Sequence, residues 1–295
     1  MDTKDKIKDI IEAHEKNGKY IKVIGLKTFV LDRGEGEAVL CVHGVPTSSF
    51  LYRKVINSLA KKGFRGISVD FPGLGLTDRP EDFDYSFPSY AKFLAATIEE
   101  LRIDKYHLVV HDIGGPVGFA LAAKNLEKIL SLTILNTWVD VVNFKKPLPM
   151  RPFEMKILGE AELKMIGYNT WPIMFSKMGV NHADRIPQEE INTYVDLLKR
   201  EDNGKAFLKI MRNFSDSPDF RDLCKKAITN VPYPVQAIWG ADDPALTLKE
   251  YGAEIKEMAD LKEFTELPSK HFLQEEVWNE IAEKISHIAH SSHMK

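Results

Sequence analysis

Hydrophobic and polar positions follow different periods along this chain, and the changes divide it into parts. Residues 5–16 form a charged segment with helical spacing. Strand-like runs follow at 20–24, 27–31 and 38–42, separated by turns rich in glycine and aspartate. Three short strands joined by such turns predict an antiparallel meander at the start of the fold.

From residue 51 onward, helical and strand-like segments alternate. The helical segments cover about 51–62, 88–102 and 115–127, and the strand-like runs cover 66–69, 106–110 and 130–135. This alternation predicts a parallel sheet with helices on both of its faces, which is an α/β fold.

The alternation stops between Trp138 and about Asn230, where the spacing is helical and almost no strand-like run occurs. It resumes with strands at 235–239 and 263–267 and helices at about 248–259 and 273–289. We therefore predict a core of residues 1–137 and 231–295, interrupted by a helical cap of residues 138–230. We expect a frayed tail from His290 onward.

Composition and charge narrow the class of protein. The chain has 295 residues and a formal net charge of -3, which gives no reason to expect nucleic acid. No run approaches the ~18 apolar residues of a membrane span, and the first residues lack a secretory signal. Cys41 and Cys224 are too few for a disulfide framework and indicate buried thiols in a reducing compartment. We expect a cytoplasmic protein without a membrane partner; a homo-oligomer is compatible with the sequence.

Candidate chemistry lies at the predicted strand ends, because reactions in open α/β sheets occur outside the carboxyl ends of the strands. After strand 106–110 comes the run His111-Asp112-Ile113-Gly114-Gly115, followed by an apolar helix. A strand, a tight turn and a helix in this order present a nucleophile, here Asp112. Aspartate is also a common helix N-cap, so the turn alone leaves both interpretations open.

The residues at two further strand ends favour the interpretation of Asp112 as a nucleophile. Strand 235–239 runs into Gly240-Ala241-Asp242-Asp243-Pro244, and strand 263–267 is followed by Pro268-Ser269-Lys270-His271-Phe272. The chain order of nucleophile, acid and histidine predicts a triad of Asp112, Asp243 and His271, with Asp242 as an alternative acid.

The turn after strand 38–42 has the sequence His43-Gly44-Val45-Pro46. Its backbone must direct an N–H group at the site, so we expect the N–H groups of Val45 and Ile113 to form an oxyanion hole. We interpret His43 as structural.

These motifs closely resemble the haloalkane dehalogenase and epoxide hydrolase branch of the α/β-hydrolase superfamily. The resemblance covers most of the chain outside the cap and rests on residues 43–49, 70–80, 109–115, 239–244 and 271–275. It implies the α/β-hydrolase fold, with a mostly parallel central sheet flanked by helices and an inserted helical cap. It also implies that Asp112 forms an alkyl ester, which a water activated by His271 hydrolyses. Some relatives would place the acid at Asp140.

The leaving group separates the two chemistries. Haloalkane dehalogenases hold the halide with a Trp directly after the nucleophile and a second donor, but this chain has Ile113 and Val45 at these positions. Epoxide hydrolases polarise the epoxide oxygen with cap tyrosines, and Tyr194 lies at the matching position, with Tyr168 as a second candidate. The resemblance therefore favours epoxide opening on a small apolar substrate.

Other readings stay open. Trp138 and Trp171 are alternative halide donors, which keeps dehalogenation as the second hypothesis. A non-catalytic binding protein is a weaker hypothesis, because the three triad residues are present. A lipase or esterase is disfavoured, since a carboxylate attacking an ester would yield a mixed anhydride.

The remaining expectations concern ligands. We expect an apolar pocket between core and cap that takes a small organic substrate and water. No metal or organic cofactor is implied, because His-rich spacing is absent and the Gly73-Leu74-Gly75 turn lacks the pattern of a dinucleotide site.

Overall fold

The computed structural model of the protein describes residues 2–262 and 264–291. In this range the strands are β1 (Gly18–Val23), β2 (Leu26–Arg33), β3 (Ala38–Val42), β4 (Arg65–Val69), β5 (Tyr106–Val110), β6 (Ile129–Leu135), β7 (Val235–Gly240) and β8 (Thr265–Leu267). They form one sheet in the order β1-β2-β4-β3-β5-β6-β7-β8. The pairs β1–β2 and β2–β4 are antiparallel, and all other neighbours run parallel.

The predicted antiparallel meander is correct for β1 and β2 and wrong for β3. Strand β3 lies between β4 and β5 and runs parallel to both, so that Ala38 pairs with Arg65 and with Tyr106. All of its residues are buried. A strand covered on both faces is continuously apolar, and this property places β3 in the parallel part of the sheet.

The helices are α1 (Thr3–Lys16), α2 (Arg53–Lys61), α3 (Phe87–Glu100), α4 (Gly114–Ala122), α5 (Leu158–Met165), α6 (Trp171–Met174), α7 (Gln188–Lys199), α8 (Lys205–Met211), α9 (Pro218–Lys226), α10 (Ala253–Met258), α11 (Leu273–Glu276) and α12 (Trp278–Ser291). The helix predicted over 273–289 is two helices, interrupted at Val277. Residues 290 and 291 of the predicted tail belong to α12, and 292–295 lie outside the described residues. Glu263, the first residue of a predicted strand, also lies outside them.

Between β6 and β7, the described chain contains only helical elements and loops. We call residues 138–230 the inserted segment. Its helical character agrees with the pattern of the sequence, while its division from the core as a separate domain stays a prediction. Within residues 2–262 and 264–291, no helix is both long and apolar enough to cross a bilayer.

The topology brings the candidate residues to one edge of the sheet. Strands β3 to β8 run parallel to their neighbours on that side, so the loops after β3, β5, β6, β7 and β8 leave from the same edge. The inserted segment packs over this edge: the N–H of Phe272 donates to the carbonyl of Gly179 at 2.7 Å. The site therefore lies between the sheet and the insertion.

Candidate active site

Asp112 occupies a strained bend between β5 and α4. Its φ is +52°, in the left-handed region that aspartate adopts more readily than most residues. The bend also packs tightly, because a Cβ added at Gly44 would lie 2.2 Å from the Cβ of Asp112. The hydroxyl of Thr137 donates to the Asp112 carbonyl at 2.6 Å. Such packing over-determines the bend and holds the carboxylate at the edge of the sheet.

Both oxygens of the Asp112 carboxylate have partners. Oδ1 accepts a hydrogen bond from the Val45 N–H at 2.8 Å, and Oδ2 lies 3.5 Å from Nε2 of His271. Burial alone would raise the pKa of this carboxyl, but the hydrogen bond and charge of His271, together with the Ile113 N–H, hold it below its ordinary value. The group is therefore ionised and ready to act as a nucleophile.

His271 lies between two carboxylates. Its Nδ1 is 2.8 Å from Oδ2 of Asp243, on the side opposite Asp112. Burial disfavours the charged imidazole, but the charges and hydrogen bonds of Asp243 and Asp112 outweigh it and raise the pKa of His271 to about 10. Nε2 of His111 contacts the carbonyl of His271 at 2.8 Å, which fixes the loop that carries the ring.

Asp243 is held by several donors. Its Oδ1 accepts from the Ala245 N–H at 2.7 Å, and its Oδ2 accepts from Nδ2 of Asn136 at 2.7 Å. Asn136 also accepts from the Gly240 N–H at 2.8 Å, and its carbonyl accepts from the Asp112 N–H at 3.0 Å. Asn136 therefore connects Asp112 to Asp243 through hydrogen bonds. Sequence reasoning missed Asn136, although its place directly after β6 was a signal.

The alternative acids lie elsewhere. Asp242 accepts from Nδ2 of Asn181 at 2.7 Å near the surface, and Asp140 accepts from the N–H of Val142 at 3.1 Å and from that of Asn143 at 3.2 Å. The carboxylate that faces His271 is that of Asp243.

His43 is fully buried beneath the site. Its Nε2 accepts from the Phe71 N–H at 3.2 Å, and its Nδ1 contacts the carbonyl of Gly44 at 2.9 Å. These bonds brace the turn that presents Val45, and burial lowers the pKa of the imidazole.

An apolar cavity lies above Asp112 and His271, between the sheet and the inserted segment. The volume of this cavity is about 80 Å³. The wall from the inserted segment is mostly aromatic and thioether, and includes Phe144, Met150, Phe153, Trp171, Phe175 and Phe207. Lys146 also lines the cavity, but its ammonium pairs with Glu154 at 2.6 Å and lies 3.9 Å from the ring centre of Phe214.

The two predicted tryptophans both line this cavity. Trp138 stacks on Phe144 at 3.8 Å between ring centres, and Trp171 begins α6. The indole N–H of each is buried and has no hydrogen-bond partner among the described residues. Trp239, by contrast, donates to the carbonyl of Leu246 at 2.8 Å. Leaving a buried donor unpaired costs about 1–3 kcal/mol, so each of these two cavity-lining tryptophans carries an unsatisfied hydrogen-bond donor.

The two predicted tyrosines have their hydroxyls occupied elsewhere. Tyr194 is buried and donates to Oε1 of Glu275 at 2.5 Å, and Glu275 is in turn paired with Arg53 and Lys54. Tyr168 donates to Oδ1 of Asp196 at 2.6 Å. The structure does not bring either hydroxyl to the cavity, because carboxylates outside it are the stronger acceptors.

In the described residues, no group of three or more His, Cys, Asp or Glu side chains is arranged to hold a metal ion. The polar groups at the cavity floor are the carboxylate of Asp112, the imidazole of His271 and the N–H of Val45, which donates to that carboxylate. This set suits nucleophilic attack by a carboxylate and subsequent proton transfer by an imidazole.

Comparisons with known proteins identify the family of this chain. The profile of the family described as alpha/beta hydrolase fold matches residues 37–276. Haloalkane dehalogenase 2 of Mycobacterium tuberculosis is 26% identical over 267 residues, covering 86% of this chain and 88% of that protein. Cis-3-alkyl-4-alkyloxetan-2-one decarboxylase of Shewanella oneidensis is 29% identical over 282 residues, covering 90% and 85%. Among solved structures, an epoxide hydrolase from Vigna radiata has a TM-score of 0.75 at 23% identity, covering 93% and 97%.

Proposed function

Because this chain belongs to the α/β hydrolase fold family and is a hydrolase, we propose that Asp112 is its nucleophile and that it hydrolyses a bond between saturated carbon and a leaving group. The observation that carries the proposal is the carboxylate at the strained bend. One of its oxygens is bound by the Val45 N–H, and the other faces His271 at the floor of an apolar cavity.

The first step is substitution at carbon. Oδ2 of Asp112, the oxygen that Val45 does not bind, forms a bond to the substrate carbon while the bond to the leaving group breaks. The leaving group departs with the electron pair, and an alkyl ester of Asp112 remains. Oδ1 becomes the ester carbonyl oxygen and keeps its hydrogen bond from Val45.

The second step is hydrolysis of that ester. His271 takes a proton from water, which attacks the ester carbonyl, and the N–H groups of Val45 and Ile113 stabilise the oxyanion on Oδ1. Collapse of this intermediate releases the product alkoxide, which takes the proton back from His271, and leaves Asp112 as a carboxylic acid. Loss of that proton to solvent restores the carboxylate for the next cycle. Forming the ester removes the negative charge of Asp112, one of the causes that raise the pKa of His271. Alkylation therefore lowers the pKa of His271 and makes its neutral form, which alone can accept a proton from water, more available than in the free enzyme.

The leaving group that fits the cavity best is a halide. Two indole N–H groups, those of Trp138 and Trp171, lack partners in the described structure beside the cavity, and a halide would accept from such donors. The sequence-based preference for epoxides depended on the hydroxyls of Tyr194 and Tyr168, which are bonded to carboxylates. We therefore place haloalkane dehalogenation first. The curated relatives named haloalkane dehalogenases support this order.

Epoxide opening is the second candidate. The observation that favours it is that Ile113 and Val45, the residues nearest the nucleophile, carry no donating side chain for a halide. An opened epoxide keeps its oxygen and leaves as a diol, so its products distinguish it from a haloalkane.

The deciding experiment offers the enzyme chloro- and bromoalkanes, terminal epoxides and a dialkyl oxetan-2-one, the last because of the decarboxylase relative. Halide release, diol formation and loss of carbon dioxide with alkene formation identify the three reactions. With a substrate that is consumed, His271→Gln should accumulate one alkyl or hydroxyalkyl group on Asp112, detected by intact mass and peptide mapping. Turnover by the native enzyme with an unmodified Asp112 in this variant would overturn the mechanism.

The halide site has its own test. Trp138→Phe and Trp171→Phe keep the ring and remove the donor, so each should weaken bromide binding by about tenfold, measured by protection against thermal unfolding. Trp239→Phe is the matched control, because its N–H already has a protein acceptor. Equal effects in all three variants would reject the indole site and leave the nucleophile untouched.

A further inference from the structure

The inserted segment exposes large apolar side chains on its outer surface. The largest exposed fractions are those of Ile157 at 85% and Leu148 at 74%. Together with Met155, Leu158, Met165 and Ile173, they form what we call the apolar apex, within residues 148–173. A surface region with several large exposed aliphatic side chains is typical of an interaction site, whereas single exposed apolar residues are common on any protein.

Helix α5 shows how the apex arises. Leu158, Ala161 and Met165 are spaced at i, i+3 and i+7, so they share one face of the helix, and that face is exposed. Leu163, within α5, and Ile166, directly after it, are buried, and Ile166 lines the reaction cavity. This stretch therefore carries apolar residues on both sides: Leu163 and Ile166 are buried, while the outer side has no cover in the described structure.

Backbone strain holds Ile157 outward. Its φ is +68°, an unfavourable value for a β-branched residue. The 85% exposed side chain gains no packing in return. Strain of this kind persists where it positions a functional group, and here it directs an aliphatic side chain into solvent.

Unpaired charge around the apex is mostly positive. Residues 148–173 contain three Lys or Arg and three Asp or Glu, a formal net of zero. Two of the three acidic groups are already paired, Glu154 with Lys146 and Glu160 with Arg212. Lys156 and Lys164 are exposed next to the apex and form no ion pair with any residue that the structure describes.

We propose that the apolar apex docks the enzyme on an anionic phospholipid surface, with its aliphatic side chains in the acyl boundary and its lysines at the headgroups. Exposed aliphatic residues beside unpaired cations are the combination by which proteins bind such interfaces without crossing them. The sequence led us to expect no membrane partner, because no apolar run is long enough to span a bilayer. That argument excludes a membrane-crossing helix, but it does not exclude docking on the surface of a membrane.

Docking would place the reaction cavity next to the lipid. The segment that carries the apex also supplies Met150, Phe153 and Trp171 to the cavity wall, so the same stretch of chain borders both. A substrate dissolved in the acyl region would then reach an apolar cavity without crossing water. The binding of lipid does not depend on which bond the enzyme cleaves.

The test is flotation of the purified protein with vesicles of phosphatidylcholine, with and without about 30% phosphatidylglycerol as the anionic lipid. The protein should float with the anionic vesicles, and salt should weaken its binding. Ile157→Asn should lower the vesicle affinity by about tenfold, because it removes an inserted aliphatic side chain while asparagine tolerates the left-handed backbone.

Ile24 provides a matched control. It is also an exposed isoleucine at positive φ, 61% exposed at +44°, but it lies in the turn between β1 and β2. Ile24→Asn should leave vesicle binding unchanged. A wild-type protein that stays with the soluble fraction, or an equal loss in both variants, would overturn the proposal. Light scattering provides a further check. If the wild-type protein is a dimer that does not bind vesicles, and Ile157→Asn converts it to a monomer, a second copy of the chain covers the apex and the proposal is wrong.

Discussion

The two walls of the reaction cavity differ in how their polar groups are satisfied. On the sheet side, Asp112, Asp243 and His271 each have protein partners at short range, and Asn136 joins two of them. On the side of the inserted segment, the wall is apolar and carries indole N–H groups without partners in the described structure. In the proposed mechanism, the sheet edge therefore carries the bond chemistry, while the insertion determines which leaving group and substrate fit.

Replacing Asp112, the proposed nucleophile on the sheet side, should have the largest effect on kcat. Asp112→Asn keeps the shape of the side chain and tolerates the positive φ, but an amide is a poor nucleophile. We expect kcat to fall by at least about 10⁴-fold on every substrate in the panel. Circular dichroism checks the fold, and intact mass checks for deamidation. Full turnover without deamidation would show that the sheet wall does not carry the chemistry.

The same variant should change the pH dependence of stability. The folded pKa of His271, about 10, lies above its ordinary value of 6.5, so its contribution to the free energy of unfolding is present below pH 6.5 and is lost as the pH rises towards 10. Asp112 acts oppositely: its pKa is lowered, so its contribution is present above 3.8 and is lost as the pH falls further. Without the Asp112 charge, NMR titration should find a lower pKa for His271.

Removing the acid should have the next largest effect. Asp243→Asn leaves His271 without the anion that orients it and stabilises its charged form, and we expect a loss of about 10²–10⁴-fold in kcat. The hydrolysis step should suffer most, so quenched-flow mass spectrometry should detect accumulated ester.

Asp242→Asn and Asp140→Asn are matched controls for that prediction, because both were alternative acids and both bind groups away from His271. Each should change kcat by less than about threefold. A large loss in either one, with Asp243→Asn active, would reassign the acid.

The smallest effect should come from the tyrosines of the inserted segment. Tyr194→Phe removes the donor to Glu275 and should lower the free energy of unfolding by about 1 kcal/mol, with kcat changed by less than about threefold. Tyr168→Phe should behave alike. Denaturation and steady-state kinetics with an epoxide check both variants. A loss of epoxide turnover without a loss of stability would return the leaving-group role to a phenol.

Much of the core could be predicted because its signals are local. The α/β-hydrolase fold is confirmed by the sheet and by the family match. Tight turns after apolar runs located Asp112, Asp243 and His271 at strand ends, and parallel strands bring such ends together. Their catalytic roles stay a prediction, although the distances among them suit it.

Features that depend on contacts between residues distant in sequence could not be predicted from these local signals. The place of β3 depends on pairing between strands distant in sequence, which turn residues do not encode. The hydroxyl of Tyr194 faces Glu275, which lies 81 residues further along the chain. A motif position cannot reveal which partner a side chain meets after folding.

The sequence by itself determined which segments are strands and helices and which strand ends carry reactive groups, because these follow from periodicity and turn chemistry within a few residues. Only the tertiary structure decided which apolar residues of the inserted segment face the cavity and which face outward. In the stretch from Leu158 to Ile166, apolar residues lie on both sides, so the hydrophobic pattern does not say which side is buried until the rest of the fold covers one of them.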